Sequence, residues 1–164
     1  MTTQAALRHD DEPATGMQAR FAYAMRAKIR RRQTLHILLA EDDDSDVMLT
    51  ECALDKTYIH HNLHRVKNGD EALQYLRREG TFAAATPPDL ILLDLSLPAI
   101  DGFEVLAALT QEARFSQTPI IILTGAEHYR HLLNAHGLWL SDYLAKPCNP
   151  EKLLETFGKL HSPG

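Results

Sequence analysis

The chain has 164 residues, enough for one ordinary domain with a terminal extension, and 45% of them are hydrophobic, enough to bury a core. This composition excludes a wholly disordered chain, and no apolar run approaches the length of a membrane span. The net charge of -5 disfavours nucleic-acid binding by the body of the domain. Because the first residues lack the pattern of a signal peptide, we expect a cytoplasmic protein with neither a membrane nor a nucleic acid as partner.

Residues 1–34 differ from the rest because their second half is rich in Arg and free of acids. Apolar residues recur there at every fourth position, at Met17, Phe21, Met25 and Ile29. This pattern predicts a basic helix over 17–32 within an extension that is otherwise partly disordered. We expect one domain over 35–161 and a short tail over 162–164.

From residue 35 onward, short apolar segments alternate with segments of helical periodicity. Strands are predicted at 35–40, 63–66, 89–95, 119–124 and about 140–145. Several of them are apolar on both faces, as parallel strands covered by helices would be. In the first and last helices, the residues expected to face the sheet are Leu49, Ala53, Leu153, Leu154 and Phe157. The order of elements predicts an α/β fold, a doubly wound five-stranded parallel sheet with helices on both faces.

Polar residues stand where the predicted strands end. Glu41 and Asp42 follow strand one, Asp94 lies at the end of strand three, Thr124 ends strand four, and Lys146 follows strand five. Because the carboxyl ends of parallel strands meet at one edge of the sheet, these groups should converge. Crowded carboxylates repel one another unless a cation shares the site, and Mg²⁺ prefers such ligands.

These groups match phosphoryl transfer to a carboxylate. Asp94 can act as the nucleophile and form an aspartyl phosphate, Lys146 and a metal can offset the charge on the transferred group, and Thr124 can hydrogen-bond the product. A simpler explanation exists for Asp44 and Asp46, since acids in the first turn of a helix are favoured by the helix dipole without any metal.

Four motifs together resemble the response regulator receiver domain, the phosphoacceptor half of two-component signalling. In chain order they are ILLAEDD at 37–43, DLILLDLSLPAIDG at 89–102, IIILTG at 120–125 and DYLAKP at 142–147. The resemblance implies a flavodoxin-like sheet with strand order 2-1-3-4-5 over most of the chain.

The resemblance also implies roles for single residues. Asp94 would be the phosphorylated residue, with Thr124 and Lys146 completing the catalytic set. Thr124 and Tyr143 would form the switch that reports phosphorylation.

For the metal, the resemblance implies Mg²⁺ bound by Glu41, Asp42, Asp94 and the backbone carbonyl of Ser96. The peptide bond before Pro147 would be cis, which is a rare geometry outside specific sites.

The opening EDDDSDVMLTECAL and the long segment before the third strand resemble small single-domain regulators that partner phytochrome histidine kinases. The resemblance therefore implies a histidine kinase, in particular a bacteriophytochrome, as partner. We expect a single-domain response regulator rather than an enzyme, with at most self-catalysed phosphotransfer and autodephosphorylation. Because no output domain follows residue 161, its output should be binding or phosphorelay.

Other functions fit the residues less well. A receiver-like interaction scaffold without phosphorylation would have no reason to keep all five site residue types. A flavodoxin-like cofactor protein would need a glycine- or hydroxyl-rich phosphate loop after strand one, where this chain has acids. An aspartate-nucleophile hydrolase would need a second Asp where Ser96 stands. A zinc site at His60, His61 and His64 is disfavoured because these residues straddle a loop and a strand. Gly125 departs from the family, which usually has Ala or Ser after the switch hydroxyl.

A homodimer is expected on the face of the fourth predicted helix, the fifth strand and the fifth predicted helix, where receiver domains commonly associate. Trp139 and Leu140 enter strand five at a sheet edge, and large apolar groups at an edge are either covered or prone to association. Two alternatives are that Trp139 folds onto the chain's own last helix, or that the basic helix over 17–32 embraces the second subunit.

Overall fold

The computed structural model describes residues 27, 31, 33–116, 118–125 and 142–159. Most of the predicted basic helix lies outside the described residues. So do the helix expected between the fourth and fifth strands and the predicted interface residues Trp139 and Leu140.

The described residues form one parallel sheet. Its strands are β1 (Leu35–Ala40), β2 (His61–Val66), β3 (Leu90–Asp94), β4 (Ile120–Thr124) and β5 (Asp142–Ala145). All neighbouring strands are parallel and their order is β2-β1-β3-β4-β5. The predicted fold class and strand order are therefore confirmed. The bounds of β1 agree with the prediction, and β2 begins earlier than predicted. β5 ends at residue 145 as predicted, and residues 140 and 141 lie outside the described residues.

The helices are α1 (Asp44–Asp55), α2 (Gly69–Arg77), α3 (Gly102–Gln111) and α4 (Pro150–Lys159), with 3₁₀ turns at Gly80–Phe82 and Ala113–Phe115. The first three helices begin behind Asp43, Asn68 and Asp101, whose side chains accept hydrogen bonds from backbone N–H groups of the first turn. These caps fix where each chain segment turns after leaving the sheet. No helix among the described residues is both long and apolar enough to cross a membrane.

Alternate strand residues pack into two cores on opposite faces of the sheet. On one face α2 and α3 cover side chains that include Leu38, Leu93 and Ile122. On the other face α1 and α4 cover side chains that include Leu39, Leu92 and Leu123. Every residue of β3 and β4 is buried, as parallel strands covered on both faces require. The two cores hold the strand ends, and the polar residues on them, in fixed positions.

Two of the side chains predicted to face the sheet are exposed instead. Leu49 is 45% exposed and Leu154 is 44% exposed. The buried residues of α1 are Val47, Thr50, Ala53 and Leu54. The prediction is therefore correct for Ala53, Leu153 and Phe157, which are buried, and wrong for Leu49 and Leu154. Leu49 and Ala53 are four positions apart, so they lie about 40° apart around the helix, and only Ala53 falls within the buried face.

Candidate functional site

The acidic loop after β1, residues 41–43, divides its charges between two tasks. Glu41 is fully buried, and its Oε1 accepts a hydrogen bond of 3.1 Å from Asp43 N. Asp43 Oδ1 accepts from Ser45 N at 2.8 Å and from Asp46 N at 2.9 Å, which caps α1. The loop therefore turns one carboxylate into the protein and uses another to start the helix.

Asp94 is the last residue of β3, and its side chain is buried. Its Oδ1 accepts a hydrogen bond of 2.9 Å from Ser96 N, and its Oδ2 accepts one of 2.8 Å from Lys146 Nζ. Both oxygens therefore have defined partners. Ser96 contributes its N–H to this arrangement, while the predicted role of its carbonyl as a metal ligand stays a prediction.

Three carboxylates converge as the strand order requires. Glu41, Asp42 and Asp94 each offer an oxygen, and these oxygens lie within 4.8 Å of one another. Glu41 and Asp94 are buried and Asp42 is exposed, so the group opens to solvent on one side. Hard carboxylate oxygens with an open side suit Mg²⁺, which keeps several water ligands. The residues present therefore fit the predicted cation; we call these three residues the carboxylate triad.

Lys146 lies between the triad and α1. Its Nζ is 2.5 Å from Glu41 Oε2, 2.8 Å from Asp46 Oδ2 and 2.8 Å from Asp94 Oδ2. Among the described residues, Glu41 Oε2 has no partner with hydrogen-bond geometry, so its contact with Lys146 is an ion pair. The backbone N of Lys146 donates to Thr124 O at 2.8 Å, and its peptide bond to Pro147 is cis.

Negative charges outnumber positive charges at this edge, and the pKa values of Lys146 and Glu41 are shifted accordingly. Burial disfavours the charged form of Lys146, but the contacts of its ammonium with Asp46, Asp94 and Glu41 outweigh burial and raise the pKa of Lys146. For Glu41 burial is the largest influence and raises its pKa above the usual value, although Lys146 and Asp43 oppose the rise. The outcomes differ because one ammonium is shared among three carboxylates, so each carboxylate is only partly compensated.

The predicted switch residues lie at the same edge. Asp94 pairs with Leu123 in the sheet register, so Thr124, which is buried, lies one residue further along at the end of β4. Tyr143 lies opposite Ile122 in β5 and packs, partly buried, against the core on the α2 and α3 face.

Arg65, which the sequence analysis did not single out, holds the acidic loop from β2. Its Nε donates to Glu41 O at 3.0 Å, its Nη2 to Asp42 O at 2.7 Å and its Nη1 to Asp44 Oδ1 at 2.6 Å. The hydrogen bond from Arg65 lowers the pKa of the Asp44 carboxyl below its usual value. Arg65 pairs with Leu39 in the parallel register, so it lies beside the end of β1. A basic residue near the end of the strand next to β1 is the signal that could have identified Arg65.

Asp46 is the second residue whose role was missed. The sequence analysis explained it by the helix dipole, and it does lie in the first turn of α1. Its Oδ2 also lies 2.8 Å from Lys146 Nζ. It is therefore a fourth carboxylate of this site, placed there by a helix rather than by a strand end.

At two glycines near the site the backbone lies so close to a neighbouring segment that a side chain would clash, and at a third glycine it does not. A Cβ at Gly69 would lie 2.0 Å from Ile100 O, and a Cβ at Gly102 would lie 2.3 Å from Asp94 O. A Cβ at Gly125 would meet no atom of the described residues within 4 Å. The described part of the chain therefore leaves room beside Thr124, at the position where the family usually carries a small side chain.

The three histidines named above and the two cysteines of the chain add no further metal group among the described residues. His60 and His64 are exposed, and His61 is partly buried at the start of β2. Cys52 and Cys148 are free thiols.

A family model for the response regulator receiver domain matches residues 37–157, and the chain belongs to this family. Within the family, response regulator Rcp1 of Synechocystis sp. is 34% identical over 119 residues, which are 73% of this chain and 81% of Rcp1. The bacteriophytochrome response regulator RtBRR is 31% identical, with a TM-score of 0.74 over 80% of this chain and 81% of that structure.

Two further structures are similar to this one. The phosphorylated cyanobacterial phytochrome response regulator RcpA is 34% identical, with a TM-score of 0.65 over 78% of this chain and 89% of its own. The Mn²⁺-bound form of Rcp1 is 32% identical, with a TM-score of 0.64 over 77% of this chain and 89% of its own. The chain is thus related to phytochrome response regulators, as the sequence motifs predicted.

Proposed function

We propose that this chain is a response regulator that accepts a phosphoryl group on Asp94 from a histidine kinase. The observation that carries the proposal is the buried Asp94 carboxylate, held by Ser96 N and Lys146 Nζ beside two further carboxylates. The similar protein RcpA has been crystallised in a phosphorylated form, which supports the same chemistry here. The chain is proposed as a phosphoacceptor that acts by binding or phosphorelay, and not as an enzyme with a separate substrate.

Asp94 acts as the nucleophile in this proposal. One of its oxygens forms a bond to phosphorus, and the bond from phosphorus to the donor breaks, so that the electron pair leaves with the donor's imidazole nitrogen. Lys146 Nζ is already 2.8 Å from Asp94 and offsets charge on the phosphoryl oxygens. Mg²⁺, held by Glu41, Asp42 and Asp94, would supply further positive charge to the same oxygens.

Thr124 and Tyr143 are proposed to report phosphorylation. A phosphoryl oxygen offers the Thr124 hydroxyl a charge-assisted hydrogen bond, and the position of Thr124 just beyond Asp94 in the register supports this role. Tyr143, which is only partly buried, would turn towards the space that Thr124 leaves.

The phosphodonor is proposed to be a bacteriophytochrome histidine kinase, because RtBRR and RcpA are phytochrome response regulators. A homodimer is part of the same proposal. Support comes from β5, which lies at one edge of the sheet that the described residues form, since a sheet edge is a surface on which a second copy can associate. Light scattering of the wild type and of Trp139→Ala tests it, and a wild type that is monomeric with and without phosphodonor would exclude it.

Phosphate-affinity gels after incubation with acetyl phosphate and Mg²⁺ test the phosphoacceptor. We expect labelling of the wild type and of the control Asp55→Asn, which removes an exposed acid at the far end of α1. We expect none in Asp94→Asn, nor in the wild type with EDTA. Equal labelling of Asp94→Asn would show that Asp94 is not the acceptor. A wild type that neither acetyl phosphate nor a kinase labels would favour the interaction scaffold.

A further inference from the structure

The three carboxylates around Lys146 are not equivalent. Glu41 and Asp94 contact the ammonium and also belong to the carboxylate triad. Asp46 contacts the ammonium but lies outside the triad. Lys146 and a bound metal ion would therefore both use Glu41 and Asp94, whereas Asp46 would contact Lys146 alone.

Asp46 is attached to a different part of the fold from the triad. It lies in the first turn of α1, where its backbone N donates to the capping oxygen of Asp43 at 2.9 Å. Its side chain is 31% exposed and that of Lys146 is 16% exposed, so water screens their 2.8 Å contact only in part. The contact joins residues 100 positions apart and ties α1 to the segment after β5.

The geometry implies competition at Glu41 and Asp94. A metal ion bound there weakens the interaction of these two carboxylates with the Lys146 ammonium. A partly buried ammonium without a partner is costly in free energy. The Asp46 carboxylate can keep its hydrogen bond to Lys146 when Glu41 and Asp94 bind the metal ion. Removal of Asp46 would leave Lys146 with only the carboxylates that the cation needs.

We propose that Asp46 is a positioning residue that anchors the Lys146 ammonium while Glu41 and Asp94 bind a divalent cation, and so keeps the lysine at the phosphoacceptor. The consequence for phosphorylation rests on the proposed function above. The anchoring itself is independent of phosphorylation and is measured without a phosphodonor.

Calorimetric titration with Mg²⁺ of the wild type, Asp46→Ala, Lys146→Met and the double variant tests the anchor. In Asp46→Ala the lysine competes for the triad, and we expect Mg²⁺ affinity to fall by about three- to tenfold. In the Lys146→Met background the same change should cost less than about twofold, since only long-range, screened attraction is lost. The conservative variant Asp46→Asn, which keeps the shape and removes the charge, should fall between wild type and Asp46→Ala.

Glu51→Gln is the matched control, because it removes one exposed acid from the same helix, and we expect a change within about twofold. An equal loss of affinity from Asp46→Ala in both backgrounds would mean that Asp46 acts on the cation directly, and would overturn the anchor. No loss in either background, or a wild type that does not bind Mg²⁺, would overturn it as well.

The phosphorylation rate is the second measurement. At saturating Mg²⁺ we expect Asp46→Ala to be labelled by acetyl phosphate about three- to tenfold more slowly than the wild type, because Lys146 is less well placed. An unchanged rate would limit Asp46 to a structural contact and overturn its positioning role. A wild type that is not labelled at all would refute the proposed function and leave the Mg²⁺ titration to decide the anchor.

Discussion

Two cations hold the same acidic loop from opposite sides, and they do so with different kinds of partner. On the β2 side, Arg65 donates to the backbone carbonyls of Glu41 and Asp42 and to one exposed carboxylate. On the β5 side, the Lys146 ammonium contacts three carboxylates. The planar guanidinium fits several fixed acceptors at once, whereas the ammonium is a compact point charge.

The difference separates structure from function within one loop. The backbone carbonyls that Arg65 uses keep their positions as long as the loop keeps its shape. The carboxylates that Lys146 uses are those that a metal or a phosphoryl group would also need. The β2 side therefore fixes the loop, and the β5 side leaves its partners exchangeable.

Of the two basic side chains, removal of Lys146 should have the larger effect on stability. Lys146→Met leaves Glu41, Asp46 and Asp94 without a neutralising charge. We expect the free energy of unfolding in EDTA at pH 7 to fall by about 2–3 kcal/mol, less than for a fully buried unpaired charge because Glu41 can take up a proton. Mg²⁺ should restore part of this loss, because it binds the folded state and supplies positive charge.

Urea unfolding with EDTA and with Mg²⁺ measures both effects. Lys152→Met is the control, since Lys152 is an exposed lysine on α4, and we expect a change within about 0.5 kcal/mol. A loss that Mg²⁺ does not reduce would mean that Lys146 stabilises the protein by packing and not by charge.

Weakening of the Arg65 contacts should have a smaller effect on stability, and this effect should not depend on the metal. Arg65→Lys keeps the charge but cannot reach both carbonyls, and we expect a loss of about 1–1.5 kcal/mol, equal with and without Mg²⁺. Asp44→Asn removes only the exposed partner, whose side chain is 84% exposed, and should leave stability unchanged within error. If Asp44→Asn were the more damaging change, the carbonyl contacts would not be what holds the loop.

The smallest effect concerns the pH dependence of stability. The pKa of Glu41 is raised above its ordinary value of 4.5, so between 4.5 and that raised pKa the folded state binds more protons than the unfolded state. The free energy of unfolding should therefore fall as pH rises through this window, by a contribution of less than one proton. Glu41→Gln should flatten the fall, which urea unfolding from pH 4.5 upward in EDTA measures. An unchanged slope would show that Glu41 does not titrate there.

The sequence was sufficient to predict the sheet and the residues at its edge. Strands β3 and β4 are apolar on both faces, as strands of a parallel sheet covered by helices are. Parallel strands then bring Glu41, Asp94 and Lys146 to one edge, whatever the details of packing. That argument needs only the order of the elements.

Arg65 and Asp46 were not predicted because their contacts depend on finer geometry. Arg65 reaches the acidic loop only in the observed register of β1 and β2. Asp46 reaches Lys146 only with the observed rotation of α1, and the misplaced Leu49 shows that apolar spacing did not fix that rotation. Side-chain contacts between distant segments follow from register and rotation, which residue types alone do not determine.

The space around Gly125 makes that position suitable for a reporter group. A Cβ added there lies more than 4 Å from the atoms of the described residues, so a cysteine at this position is well placed to carry a fluorophore. The protein's own thiols leave this practical, because Cys52 is exposed and replaceable by serine, while burial raises the pKa of the Cys148 thiol and slows its alkylation. Gly125→Cys in a Cys52→Ser background would thus place one selective label next to Thr124, from which the chemical state of this edge could be followed in real time.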